Sequence, residues 1–94
     1  MAFVSMCIEW QGISIEITHT PDWPGHGYQH IELRAVERLP VTETGYRSHF
    51  IHDEHMALFK DATEFVIEWL DEFAKDPVWL RHVEASKQLT LFPD

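Results

Sequence analysis

Ninety-four residues with 45% hydrophobic side chains, four Trp and six Phe make one small folding domain and exclude a disordered chain. A formal net charge of −9, from 7 Lys+Arg against 16 Asp+Glu, turns the surface away from free nucleic acid and anionic membrane and toward basic partners. Cys7 is the single cysteine, which excludes an internal disulfide, and no stretch nears the ~20 apolar residues of a membrane helix.

Residues 3–10 alternate, with Val4, Met6, Ile8 and Trp10 on one side and Ser5, Cys7 and Glu9 on the other. After Gln11-Gly12, Ile13, Ile15 and Ile17 alternate with Ser14, Glu16 and Thr18. Two alternating runs around a glycine turn predict a β-hairpin with one buried face. Two prolines and two glycines in residues 20–27 predict a loop, with Trp23 either plugging the core edge or anchoring a partner. Residues 28–38 predict a third strand, in which Ile31, Leu33 and Ala35 alternate with His30, Glu32 and Arg34. Leu39-Pro40 ends it, Thr42 to Gly45 turns, and residues 46–51 predict a fourth strand.

Met56, Leu58 and Phe59 would cover the sheet from a loop or a single helical turn. Ala62, Phe65, Val66, Trp69, Leu70 and Phe73 then recur at helical spacing, behind Asp61 as N-cap and Glu64 as the other arm of a capping box. Lys75-Asp76-Pro77 breaks that helix and starts another, whose short apolar edge is Val78, Trp79, His82 and Val83 and which should fray near Ser86 or Lys87. The sum is an α+β domain over residues 1–87, an antiparallel sheet of about four strands followed by two helices on one face (ββββαα), with residues 88–94 as a tail.

Carboxylates dominate the second half. Asp53, Glu54, Asp61, Glu64, Glu68, Asp71, Glu72, Asp76 and Glu84 face only Lys60, Lys75 and Arg81, so about −6 of the −9 lies between residues 53 and 84. Glu64, Glu68 and Glu72 stand at successive i, i+4 steps, where like charges repel by about 0.2–0.5 kcal/mol per pair. Either this is a solvated face that keeps the protein soluble, or Asp53 through Asp76 imitate a phosphate track and occupy the basic nucleic-acid-binding surface of a host protein or complex. Trp23 and Trp79 are the candidate aromatic anchors beside that surface.

His49, His52 and His55 are spaced by three, with Asp53 and Glu54 between, and His26 and His30 by four. This spacing could serve a small metal-dependent enzyme, but there is no HExxH pattern, and surface histidines beside acids commonly only titrate. No Gly-rich phosphate loop or G-x-S-x-G turn is present. No cofactor, no metal and no catalytic residue is therefore expected.

The run Gln88-Leu89-Thr90-Leu91-Phe92 resembles the peptide by which bacterial replication and repair proteins dock on the β sliding clamp, with Gln88, Leu89, Leu91 and Phe92 on the pattern and Thr90 in place of Ser or Asp. The resemblance implies a partner and no activity. The same residues would also suit a final strand on the sheet edge.

Across most of its length the chain is similar to small proteins carried on plasmids and phage-like elements of proteobacteria. The residues that carry this likeness are His30 to Arg34, Leu39-Pro40, Thr42 to Phe50, and the tail. It implies a mobile-element accessory role, a class that includes anti-CRISPR and other anti-defence inhibitors. The expectation is thus a cytoplasmic, non-enzymatic interaction module that meets a basic host surface or the clamp, touches neither nucleic acid nor membrane directly, and leaves pairing into a homodimer open.

Overall fold

The structure, a computed structural model, describes residues 3–23 and 27–90, with the side chains of residues 22, 23 and 86–90 outside the description. Four strands form one antiparallel meander in the order β1 (Val4–Trp10), β2 (Ile13–Trp23), β3 (Tyr28–Arg34) and β4 (Tyr46–His52). A single turn, α1 (Asp53–Met56), and the helices α2 (Ala62–Phe73) and α3 (Pro77–Thr90) follow. The α+β class and the ββββαα order are those the alternation predicts.

The hairpin closes as expected. Gln11 (φ 48°) and Gly12 (φ 78°) both take positive φ, which matches the right-handed twist of the flanking strands. Trp10 therefore pairs with Ile13, and the register runs unbroken to Val4 opposite His19. Alternation then sends Ile13, Ile15, Ile17, Ile31, Leu33 and Ile51 to one face, all buried. Ala62, Phe65, Val66 and Leu70 of α2 cover them. Met56 on α1 is buried, whereas Leu58 after it is 76% exposed, so the covering turn uses only part of its apolar set.

Three boundaries differ from expectation. Thr20 to Trp23 do not open a loop but continue β2, with Trp23 opposite Tyr28. The register shifts between Thr20 and Trp23, so Pro21 sits where the ladder is already interrupted and its missing N–H costs little. Strand β3 stops at Arg34 rather than Arg38. Ala35 donates its N–H to the Gly45 carbonyl (2.8 Å), and Leu39 and Thr42 bond each other's backbone (2.9 and 3.1 Å). The chain thus turns back over residues 35–45 and buries Leu39 beneath it. Finally, α3 runs to Thr90, past the expected end near Ser86 or Lys87.

Candidate interaction surface

The acidic segment is built by helix starts. Asp61 takes an extended conformation and accepts the Glu64 N–H (2.9 Å), while a Glu64 carboxylate oxygen accepts the Lys60 N–H (3.1 Å). The Asp61 arm is the half of the capping box that the spacing predicts; Glu64 reaches back one residue further than a capping box requires, to the N–H of Lys60 instead of that of Asp61. Asp76 caps α3 through the Val78 N–H (2.7 Å), and Pro77 supplies the first helical residue. Asp71 accepts the Trp10 indole N–H (2.8 Å), and Asp53 accepts from the Gln29 amide (2.8 Å), which also bonds His19 (2.7 Å).

Lys75 lies 3.0 Å from Glu72, and this is the one Lys or Arg ion pair on the segment among the described residues. The remaining ion pairs, Arg34 with Glu16 and Glu32 and Arg38 with Glu43, belong to the sheet and its loop. The eight candidate acids from Asp53 to Asp76 are all exposed. Capping and amide hydrogen bonds engage lone pairs without cancelling charge, so the face stays anionic. Those bonds do account for the placement of Asp53, Asp61, Glu64, Asp71 and Asp76. Glu54 and Glu68 are the carboxylates whose positions the fold does not explain.

Trp79 is not an anchor. It is buried against Trp10, ring centroids 5.8 Å apart, and joins α3 to the sheet. The Trp23 side chain lies outside the described residues, as do His26 and the residues Leu91 and Phe92. Gln88 and Leu89 stand on the backbone of α3.

The histidines serve separate local roles. His49 points from β4 to the helices, its ring 4.6 Å from that of Trp69. Burial, reinforced by the Arg47 guanidinium and by His55, lowers its pKa. His52 caps α1 by accepting the Glu54 N–H on Nδ1 (3.2 Å), and His55 packs on Phe59 and Phe65. No group of three His, Cys, Asp or Glu side chains among the described residues is placed to hold a metal ion.

The far face of the sheet carries an aromatic row that alternation alone did not reveal. Tyr28, Tyr46 and Phe50 are each more than 40% exposed. Tyr28 packs edge-on to His52, and His30 lies 4.7 Å from Phe50. Tyr46 donates its hydroxyl to Glu32 (2.8 Å), a bond that raises its pKa, and lies under Arg34. The period-two pattern placed each residue on that face; only the β3–β4 register brings Tyr28 beside His52 and His30 beside Phe50. On the same sheet a shallow depression of about 320 Å³ is lined by Cys7, Ser14, Ile15, Glu16, Arg34, Ala35 and Val36. Its Arg34 is already paired with Glu16 and Glu32.

A family model, KlcB third domain, matches residues 4–79. The chain belongs to that family. The match begins at the first residue of β1 and ends at Trp79, so in this KlcB third domain the tryptophan pair Trp10 and Trp79 lies inside the match and the clamp-like run Gln88 to Phe92 beyond it. No curated protein and no solved structure matches the chain. No helix among its described residues is long and apolar enough to cross a membrane.

Proposed function

We propose that the domain is a non-enzymatic interaction module of a mobile element, an inhibitor of the anti-defence type (anti-CRISPR proteins among them). Its acidic face would occupy a basic, nucleic-acid-binding surface of a host protein complex. One observation carries the reading: the carboxylates from Asp53 to Asp76 are exposed, and among the described residues only Glu72 of them has a Lys or Arg partner. Unneutralised charge on a rigid helix speeds encounter with a basic groove and fixes orientation there. Membership of a plasmid-borne accessory family supports the setting.

The test is capture of partners from the native host with identification by mass spectrometry, alongside a Glu54→Lys, Glu68→Lys, Glu72→Lys variant. This variant leaves Asp61, Glu64 and Asp76 in place, so the helix caps survive. The expected result is a basic nucleic-acid-binding partner that the variant no longer holds at physiological salt. A partner retained by the variant overturns the reading.

Docking on the β sliding clamp is a second reading, supported by the run Gln88 to Phe92 lying outside the family match. A clamp pull-down with Leu91→Ala and Phe92→Ala as control tests it. Failure of the unaltered chain to bind ends it.

A further inference from the structure

We propose that two copies of this chain join through the open edge of β1, antiparallel about a two-fold axis at Cys7, into one continuous sheet. The proposal does not depend on the acidic face.

The two edges of the sheet differ. On β4, Arg47 points to the helix side, its guanidinium 5.9 Å from the Trp69 ring centre. An inward-pointing charge on an edge strand is a recognised block to further pairing. Strand β1 has no such guard. Its seven residues, Val-Ser-Met-Cys-Ile-Glu-Trp, include no Lys, Arg or Pro, and its register with β2 has no bulge.

The two-residue turn fixes which backbone groups are open. Trp10 and Ile13 close it as a hydrogen-bonded pair, so Ile8, Met6 and Val4 bond inward to β2. Ser5, Cys7 and Glu9 therefore turn their N–H and C=O groups to the open edge. Those groups can all be satisfied by a second β1 in only one antiparallel register, with Cys7 facing Cys7 and Ser5 facing Glu9. Moving the axis to Glu9 sets two like charges opposite each other, and moving it to Ser5 leaves Glu9 unpaired.

The same register matches the side chains. On the helix side Met6 meets Ile8, and Val4 meets Trp10, in the close non-hydrogen-bonded positions where aliphatic and aromatic cross-strand pairs stabilise a sheet. Met6 and Ile8 are only half-buried within one copy, and Val4 is 56% exposed. Above them, Thr63 donates to the Met6 sulfur (3.0 Å) and Asp71 accepts from Trp10. Ile67 lies between Thr63 and Asp71 on the same stripe of α2 and is 37% exposed. This apolar margin along β1 is what a second copy covers, and the Cys7-centred register sets Glu9, the one charge of β1, opposite the neutral Ser5 hydroxyl and away from its own copy.

The experiment is molecular mass in solution by light scattering and sedimentation across a concentration series, followed by mild diamide oxidation. The expected result is a dimer whose share rises with protein concentration and with salt, since salt screens repulsion between two acidic copies. Oxidation should join the copies through Cys7, because facing Cα atoms about 5.5 Å apart lie within disulfide range. A Cys7→Ser, Ser14→Cys variant, with its thiol on the next strand, should not cross-link. Cys7→Lys places two ammonium groups face to face and should be monomeric with an unchanged circular dichroism spectrum. Cys7→Pro removes only an outward N–H and should behave likewise. A monomer at every concentration, or a dimer that persists in folded Cys7→Lys and Cys7→Pro, overturns the proposal.

Discussion

Trp10 donates its indole N–H to Asp71 across 61 positions of sequence, at 2.8 Å, while its ring packs on Trp79. The last residue of β1 thereby touches both long helices. Asp71 thus serves the fold as well as the acidic surface, and the two roles are separable. Asp71→Ala should lower stability by about 1–2 kcal/mol, the effect of removing the partner of a half-buried donor. Asp71→Asn keeps an acceptor and should lose much less. Urea denaturation of both variants, with Trp10→Phe completing a double-mutant cycle, checks this.

Asp61 and Glu64 form a second separable pair. Asp61→Ala should cost about 1 kcal/mol by leaving the Glu64 N–H without its cap. Glu64→Gln keeps an oxygen for the Lys60 N–H and should stay near the original stability while losing charge. Thermal melting of both checks the prediction and shows which acids can be neutralised safely in binding experiments.

Gly45 tolerates no side chain. Its φ is 85°, it is buried, and a Cβ there would collide with the Ala35 carbonyl oxygen, with the Glu37 carbonyl close behind. Gly45→Ala should destabilise by about 2 kcal/mol or more, through left-handed strain and displacement of the turn into β4. Chemical denaturation measures it.

His49 should make stability depend on pH. Burial chiefly, then Arg47 and His55, lower its pKa below the ordinary 6.5. In the window beneath 6.5 the unfolded chain takes up a proton that the folded chain refuses, so stability is full above 6.5 and falls as pH drops toward the folded value. His49→Gln should remove this component, seen as a shallower loss of melting temperature between neutral and mildly acidic pH. An unchanged slope refutes the assignment.

The sheet and the main helix were legible because their patterns are local. Ile13, Ile15 and Ile17 alternate, and Ala62, Phe65, Val66 and Leu70 recur at helical spacing, whatever they pack against. Pro21 misled because proline excludes a ladder only where the ladder needs its N–H, and a register shift removes that need. The sequence leaves Trp79 both an apolar-edge residue and a candidate anchor, because nothing local to α3 points to Trp10, 69 positions earlier, as the ring that covers it. Alternation sets His30 on the face of β3 opposite Ile31 and Leu33, yet it is 8% exposed, with Phe50 beside it and Ser48 bonded at 2.6 Å. Cross-strand neighbours of that kind appear only with the register. The acidic face was legible as charge, while the division into caps, the Trp10 acceptor and the two unexplained acids, Glu54 and Glu68, required geometry.

Each strand pairs with the one made just before it. Contacts of short sequence separation need little loop closure, so such a meander can zip up during synthesis, while α2 and α3 are still emerging. Until α2 arrives, the isoleucine face stands bare to water. The interval between completion of the sheet and arrival of the helix is therefore when a nascent chain is most exposed to misassembly, and slowing translation beyond residue 52 should raise its demand for chaperones.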